Sequence, residues 1–75
     1  MTKYFKASKL EELIHPYDLN DVMSSLVENG LVESYERDYE DDEIAITVPK
    51  DVEIREIMAT FEMYVEDGRK KKREH

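Results

Sequence analysis

An α+β fold is the class this sequence predicts, and three observations predict it. Apolar residues recur at helical spacing over residues 19–27 and again over 54–65. Between those stretches the period drops to two, over residues 31–39 and 44–48. With 75 residues, 40% of them hydrophobic and 40% charged, the chain can build one small core and no second one.

The elements follow in order. Residues 3–7, with Tyr4 and Phe5, read as a short extended lead-in. A first helix is expected from Ser8, which with Glu11 three residues later has the spacing of a capping box ahead of Leu10, Leu13 and Ile14. Pro16 stops it, because the ring excludes the preceding residue from helical backbone. Asp18 then caps a second helix whose Leu19, Val22, Met23, Leu26 and Val27 lie on one side, and Gly30 ends it as a left-handed residue. Residues 31–38 and 43–48 form a hairpin. Its connection lacks Gly and Asn, so a loop of three to five residues is expected rather than a tight two-residue turn. Asp51 is expected to cap a last helix of about seventeen residues ending near Gly68. The predicted core is Phe5, Leu10, Leu13, Ile14, Leu19, Val22, Met23, Leu26, Val27, Leu31, Ile44, Ile46, Val48, Ile54, Ile57, Met58, Phe61 and Val65. Residues 1–68 are read as one compact domain and 69–75 as a basic, disordered tail.

Charge is segregated along the chain. The net charge is −8, yet residues 1–9 carry Lys3, Lys6 and Lys9 and no acid. Residues 10–68 hold eighteen acids against Arg37, Lys50 and Arg55, while residues 69–73 are all Lys or Arg. Such a body repels polyanions and favours basic partners. Cysteine is absent, which excludes disulfides, thiolate metal sites and thiol nucleophiles. No apolar run is long enough to cross a membrane and none resembles a signal peptide, so a cytoplasmic protein without a membrane partner is expected.

The run Ser8-Lys-Leu-Glu-Glu-Leu-Ile14, a short turn, and then Val22-Met-Ser-Ser-Leu-Val-Glu-Asn-Gly-Leu-Val32 resembles the helix-turn-helix of the winged-helix superfamily. Leu26, Gly30, Leu31 and Val32 match its exit into a two-stranded wing, and the resemblance covers residues 5–48. It implies a small winged-helix-like domain of the order short strand, helix, helix, hairpin, long helix. The superfamily's leading helix has no counterpart here, so the C-terminal helix must complete the core. The resemblance also implies DNA binding, with the second helix in the major groove and the wing tip on phosphate. The charges oppose that. The exposed face of the second helix, Asn20, Asp21, Ser24, Ser25 and Glu28, has no base, and residues 33–43 carry seven acids against Arg37 alone.

The sequence offers no catalytic constellation. His15 stands in a turn without a nucleophile or a spare carboxylate beside it. Two glycines, each with a structural task, cannot form a phosphate-binding loop. The acids 38–43 lack the glycine turn and distal glutamate of a calcium loop, so neither a metal nor any other cofactor is expected. Tyr35 and Tyr39 fall on one strand face, and packing against the terminal helix is the plain expectation for them. The functional reading is a non-catalytic acidic interaction module, a small regulatory or adaptor protein. It would meet a basic protein surface, in the manner of a nucleic-acid mimic, through Glu36, Asp38, Tyr39, Glu40, Asp41, Asp42 and Glu43. The alternative is a dimeric DNA-binding transcriptional regulator. In that case Asn20, Ser24 and Ser25 would read bases and Arg69, Lys70, Lys71, Lys72 and Arg73 would hold phosphates. Val52, Ala59 and Met63, a thin apolar stripe on the far side of the last helix, are the expected homodimer contact.

Overall fold

The computed structural model describes residues 1–73. Its order is β1 (Thr2–Lys6), α1 (Ala7–Ile14), α2 (Leu19–Glu28), β2 (Ser34–Asp38), β3 (Glu43–Thr47) and α3 (Ile54–Arg73). The three strands form one antiparallel sheet in the order β1-β3-β2, so the N-terminal lead-in is a true strand on the far side of the hairpin. Register places Lys3, Ile46 and Tyr35 in one row and Phe5, Ile44 and Arg37 in the next. These rows make the inner face, where Ile44 and Ile46 are buried. The alternate rows, Tyr4–Ala45–Glu36 and Lys6–Glu43–Asp38, face away from the helices, as the two-residue period requires.

The helix α2 forms as its sequence dictates. Asp18 Oδ1 accepts from the amides of Asn20 at 2.8 Å and Asp21 at 3.2 Å, satisfying two orphan donors of the first turn. At the other end Gly30 has φ 75°. Gly30 N–H donates to Val27 O and Leu31 N–H to Leu26 O, the bond pair of a Schellman motif. The core closes around α1, whose Ala7, Leu10 and Ile14 lie among Leu19, Val22, Met23, Leu26, Val32, Ile44, Ile46, Val48, Ile57 and Phe61.

Several expectations are corrected. Ser8 does not cap α1: the helix starts at Ala7, and the residue at its cap, Lys6, makes no side-chain bond. Asp51 sits in a turn three residues ahead of α3. The amide of Glu53 is taken instead by Glu56 Oε2 at 2.8 Å, the reciprocal half of a capping box. Leu13, Val27 and Met58 are exposed, whereas Ala7 and Val32 are buried. Phe5, Leu31, Ile54 and Val65 are half-buried and pack against the core. The helix does not stop at Gly68 but continues to Arg73, so residues 69–73 are helical rather than a loose tail; 74–75 lie outside the described residues. Gly68 is there for another reason. A Cβ on it would stand 2.5 Å from His15 O, so glycine is what lets α3 lie against the end of α1. A basic last turn also complements the negative pole of the helix.

Candidate protein-interaction surface

The hairpin loop, residues 39–42, is built by its own acids. Asp38 Oδ1 accepts from the amides of Glu40 at 3.0 Å and Asp41 at 3.2 Å, folding the chain back without glycine. Asp42 then takes the left-handed conformation, φ 54°, which Asp tolerates better than most residues. This turns its backbone and side chain towards α1. Asp42 O accepts from Ala7 N–H at 2.9 Å, Oδ1 from Ser8 N–H at 3.1 Å, and Oδ2 from Ser8 Oγ–H at 2.5 Å. A hairpin residue thus caps a helix 34 positions earlier in the chain, and it supplies the anion that the first turn of α1 itself lacks. The Ser8 hydroxyl above all holds the Asp42 carboxyl below its usual 3.8; desolvation opposes it, and the Ser8 amide and the Arg37 and Lys6 charges add smaller lowering effects.

Arg37 ties the same corner together. Its Nη2 donates to Glu11 Oε1 at 3.1 Å and Asp42 Oδ1 at 3.5 Å, and its Nη1 to the carbonyls of Asp38 at 3.0 Å and Glu43 at 3.3 Å. The guanidinium also lies over the Tyr39 ring, 4.5 Å from the centroid. With its side chain only 14% exposed, the one base of the hairpin is engaged inside the domain.

What faces outward is acidic and aromatic. Tyr4, Glu36, Asp38, Tyr39, Glu40, Glu43 and Ala45, with the stem of Arg37, line a shallow concavity of about 480 Å³. Tyr4 is 68% and Tyr39 72% exposed. The seven contact residues named from sequence therefore divide into two sets. Asp38 and Asp42 shape the loop, while Glu36, Tyr39, Glu40, Asp41 and Glu43 make none of these turn-forming side-chain hydrogen bonds. Tyr4 was missed because an isolated strand residue gives no sign of which neighbour its strand will pair with. Tyr35 and Tyr39 do not act together: Tyr35 lies on the inner face, packed against the core with its hydroxyl at α2, and Tyr39 lies past the end of β2.

Of the residues assigned to DNA reading, Asn20 and Ser24 meet at one hydroxyl, that of Tyr35. Ser24 Oγ shares a hydrogen bond of 3.0 Å with Tyr35 OH, which also reaches Asn20 O at 3.5 Å, and Ser25 is half-buried. The basic end of α3 stands beside the turn between α1 and α2. There Tyr17 OH donates to Asp67 Oδ2, and Lys71 Nζ lies 4.4 Å from the Tyr17 ring centroid. The N-terminal lysines do not join it as a block. Lys6 stands opposite Glu43 in the sheet, and only Lys9 shares a depression with Arg69. The side chains of Lys72 and Arg73 lie outside the described residues. Of the expected dimer stripe, Val52 precedes α3 and packs partly against the core, which leaves only Ala59 and Met63 exposed on the helix.

Among the described residues no helix is long and apolar enough to cross a membrane, and no group of three or more acids or histidines is arranged to hold a metal ion. The chain matches no family model, no curated protein and no solved structure.

Proposed function

We propose that this domain is a non-catalytic interaction module whose hairpin end engages a basic protein surface. The element order helix, turn, helix, hairpin, with α3 in the core where a leading helix would stand, supports a winged-helix-like reading of its architecture. The observation that carries the functional reading is the division of labour in the hairpin. Arg37 is consumed by internal carboxylates and carbonyls, whereas Glu36, Glu40, Asp41 and Glu43 present charge beside two exposed tyrosines. Carboxylates accept from lysine and arginine, and tyrosine faces receive the same cations, so a basic partner meets both components of the surface. Charge spread over the whole central segment would also steer such a partner in. A nucleic-acid phosphate approaching this hairpin meets the opposite sign, which is the ground for preferring a protein partner.

The test is titration of a lysine- and arginine-rich peptide into the labelled protein, followed by backbone amide shifts. Perturbations are expected at Tyr4 and over residues 36–43. The double substitution Glu40→Lys with Asp41→Lys reverses two charges that make no side-chain hydrogen bond in the loop, and it is expected to abolish those perturbations while the domain stays folded. Shifts confined to α2, or unchanged binding by the double variant, would refute the proposal.

A further inference from the structure

Four residues of α3, Met58, Glu62, Val65 and Arg69, follow at i, i+4, i+7 and i+11 and so share one side of the helix. Leu13 of α1 borders that side, since Leu13, Val65 and Arg69 line one depression with Lys9 and Glu12. Met58 and Glu62 belong to the wall of the adjoining groove, which also reaches Leu13. Leu13 is 55% exposed and Met58 39%. The cause is geometric: α1 has 8 residues and α3 has 20, so the short helix covers only part of the long one. The result is an apolar strip with charges set into it. Among the described residues neither Glu62 nor Arg69 has an ion-pair partner within the chain.

The order acid, apolar, base of Glu62, Val65 and Arg69 is complementary to itself when reversed. We propose that this α1–α3 face is the contact with a second copy of the chain, the two α3 helices packing antiparallel about a two-fold axis beside Val65. In that arrangement Glu62 of each copy faces Arg69 of the other, the Val65 side chains meet at the axis, and Leu13 flanks them. A two-fold contact must be self-complementary, and this strip has that property. A basic partner would be opposed by Arg69 and an acidic one by Glu62, so the alternating signs select another copy. On a body with eighteen acids against three bases over residues 10–68, the strip carries an acid and a base in line, so a reversed copy meets opposite charge at Glu62 and at Arg69. This contact is independent of the hairpin surface, which lies at the other end of α1.

Sedimentation of the full chain over a range of concentrations in about 0.15 M salt tests it, with far-UV circular dichroism confirming that each variant is folded. A dimer is expected. Glu62→Arg and Arg69→Glu each set two like pairs against each other and are expected to weaken it about tenfold. The double variant Glu62→Arg with Arg69→Glu restores opposite pairing and is expected to return to near the parent affinity. Leu13→Glu is expected to abolish association, and Met63→Glu, about 130° around α3 from the strip, to leave it unchanged. A parent chain that stays monomeric throughout would overturn the proposal. So would a dimer broken by Met63→Glu rather than by Glu62→Arg, or a double variant that fails to recover.

Discussion

Asp42 joins the hairpin loop to the first turn of α1, and its energetics have a definite sign with pH. Its carboxylate receives the Ser8 hydroxyl and amide and lies beside Arg37, so the folded state holds it in the charged form. The folded pKa is therefore depressed below the ordinary 3.8. A depressed carboxyl contributes stability that is fully present above its unfolded pKa and is lost as pH falls through the folded value. Urea unfolding is expected to show no Asp42 contribution to pH dependence above about pH 5, and a loss of stability setting in below pH 4. Asp42→Asn is expected to be less stable than the parent at pH 7 and to show a smaller fall between pH 4 and pH 2; an unchanged fall would mean that other carboxylates set the acid limb. This role was not legible in the sequence. Ser8 with Glu11 has the spacing of a capping box, and nothing local shows that a hairpin acid 34 residues away will fill that place. Asp18 and Gly30 were legible, because their partners lie within the same few residues.

The same distinction holds for the elements. The helix α2 and the hairpin follow from patterns confined to about ten residues; α2 forms where its pattern lies, and the hairpin does so except that β2 starts at Ser34 rather than at residue 31. The pairing of β1, the exposure of Leu13 and Met58, and the burial of Val32 depend on which elements meet, and periodicity along one segment does not carry that. Gly68 is the sharpest case. Read locally, a glycine near the end of a helical stretch marks its stop, yet α3 continues for five residues beyond it. Two effects oppose each other if Gly68→Ala is made. Alanine is the better helix former by roughly 1 kcal/mol. Its methyl, however, would meet the backbone carbonyl of His15 at 2.5 Å, and backbone cannot turn aside as a side chain does. Overpacking of this kind costs about 1–3 kcal/mol, so the clash is expected to win. Thermal unfolding of Gly68→Ala should show a lower midpoint together with weakened packing of α3 on the Ile14–His15 corner. A midpoint at or above the parent's would place Gly68 in an ordinary solvated turn of helix.

At the scale of the molecule, α1 acts as the ruler that separates two kinds of surface. Its first turn is held by Asp42 of the acidic hairpin loop, and its last residues abut Gly68, just ahead of the all-basic 69–73. The fold thereby keeps the basic segment away from the acids of the hairpin loop instead of letting the two neutralise each other. Polyanion binding should accordingly be confined to one end. Each Lys or Arg that neutralises a phosphate contributes about −0.9 to the slope of log affinity against log salt on duplex DNA. With five bases in residues 69–73, the slope for random duplex is expected to be no steeper than about −4.5, and the binding weak. Deleting residues 69–75 is expected to remove nearly all of it. Lys71 also packs over Tyr17, so a second variant keeps it, combining Arg69→Gln, Lys70→Gln, Lys72→Gln and Arg73→Gln to lose binding without disturbing that contact. Binding measured by fluorescence anisotropy at several salt concentrations separates the two readings of the domain. Weak binding that disappears in both variants leaves the hairpin free for a basic protein. Sub-micromolar, sequence-dependent binding that survives both variants would mean that Asn20, Ser24 and Ser25 read bases after all, with the Ser24–Tyr35 hydrogen bond giving way as the helix enters the groove.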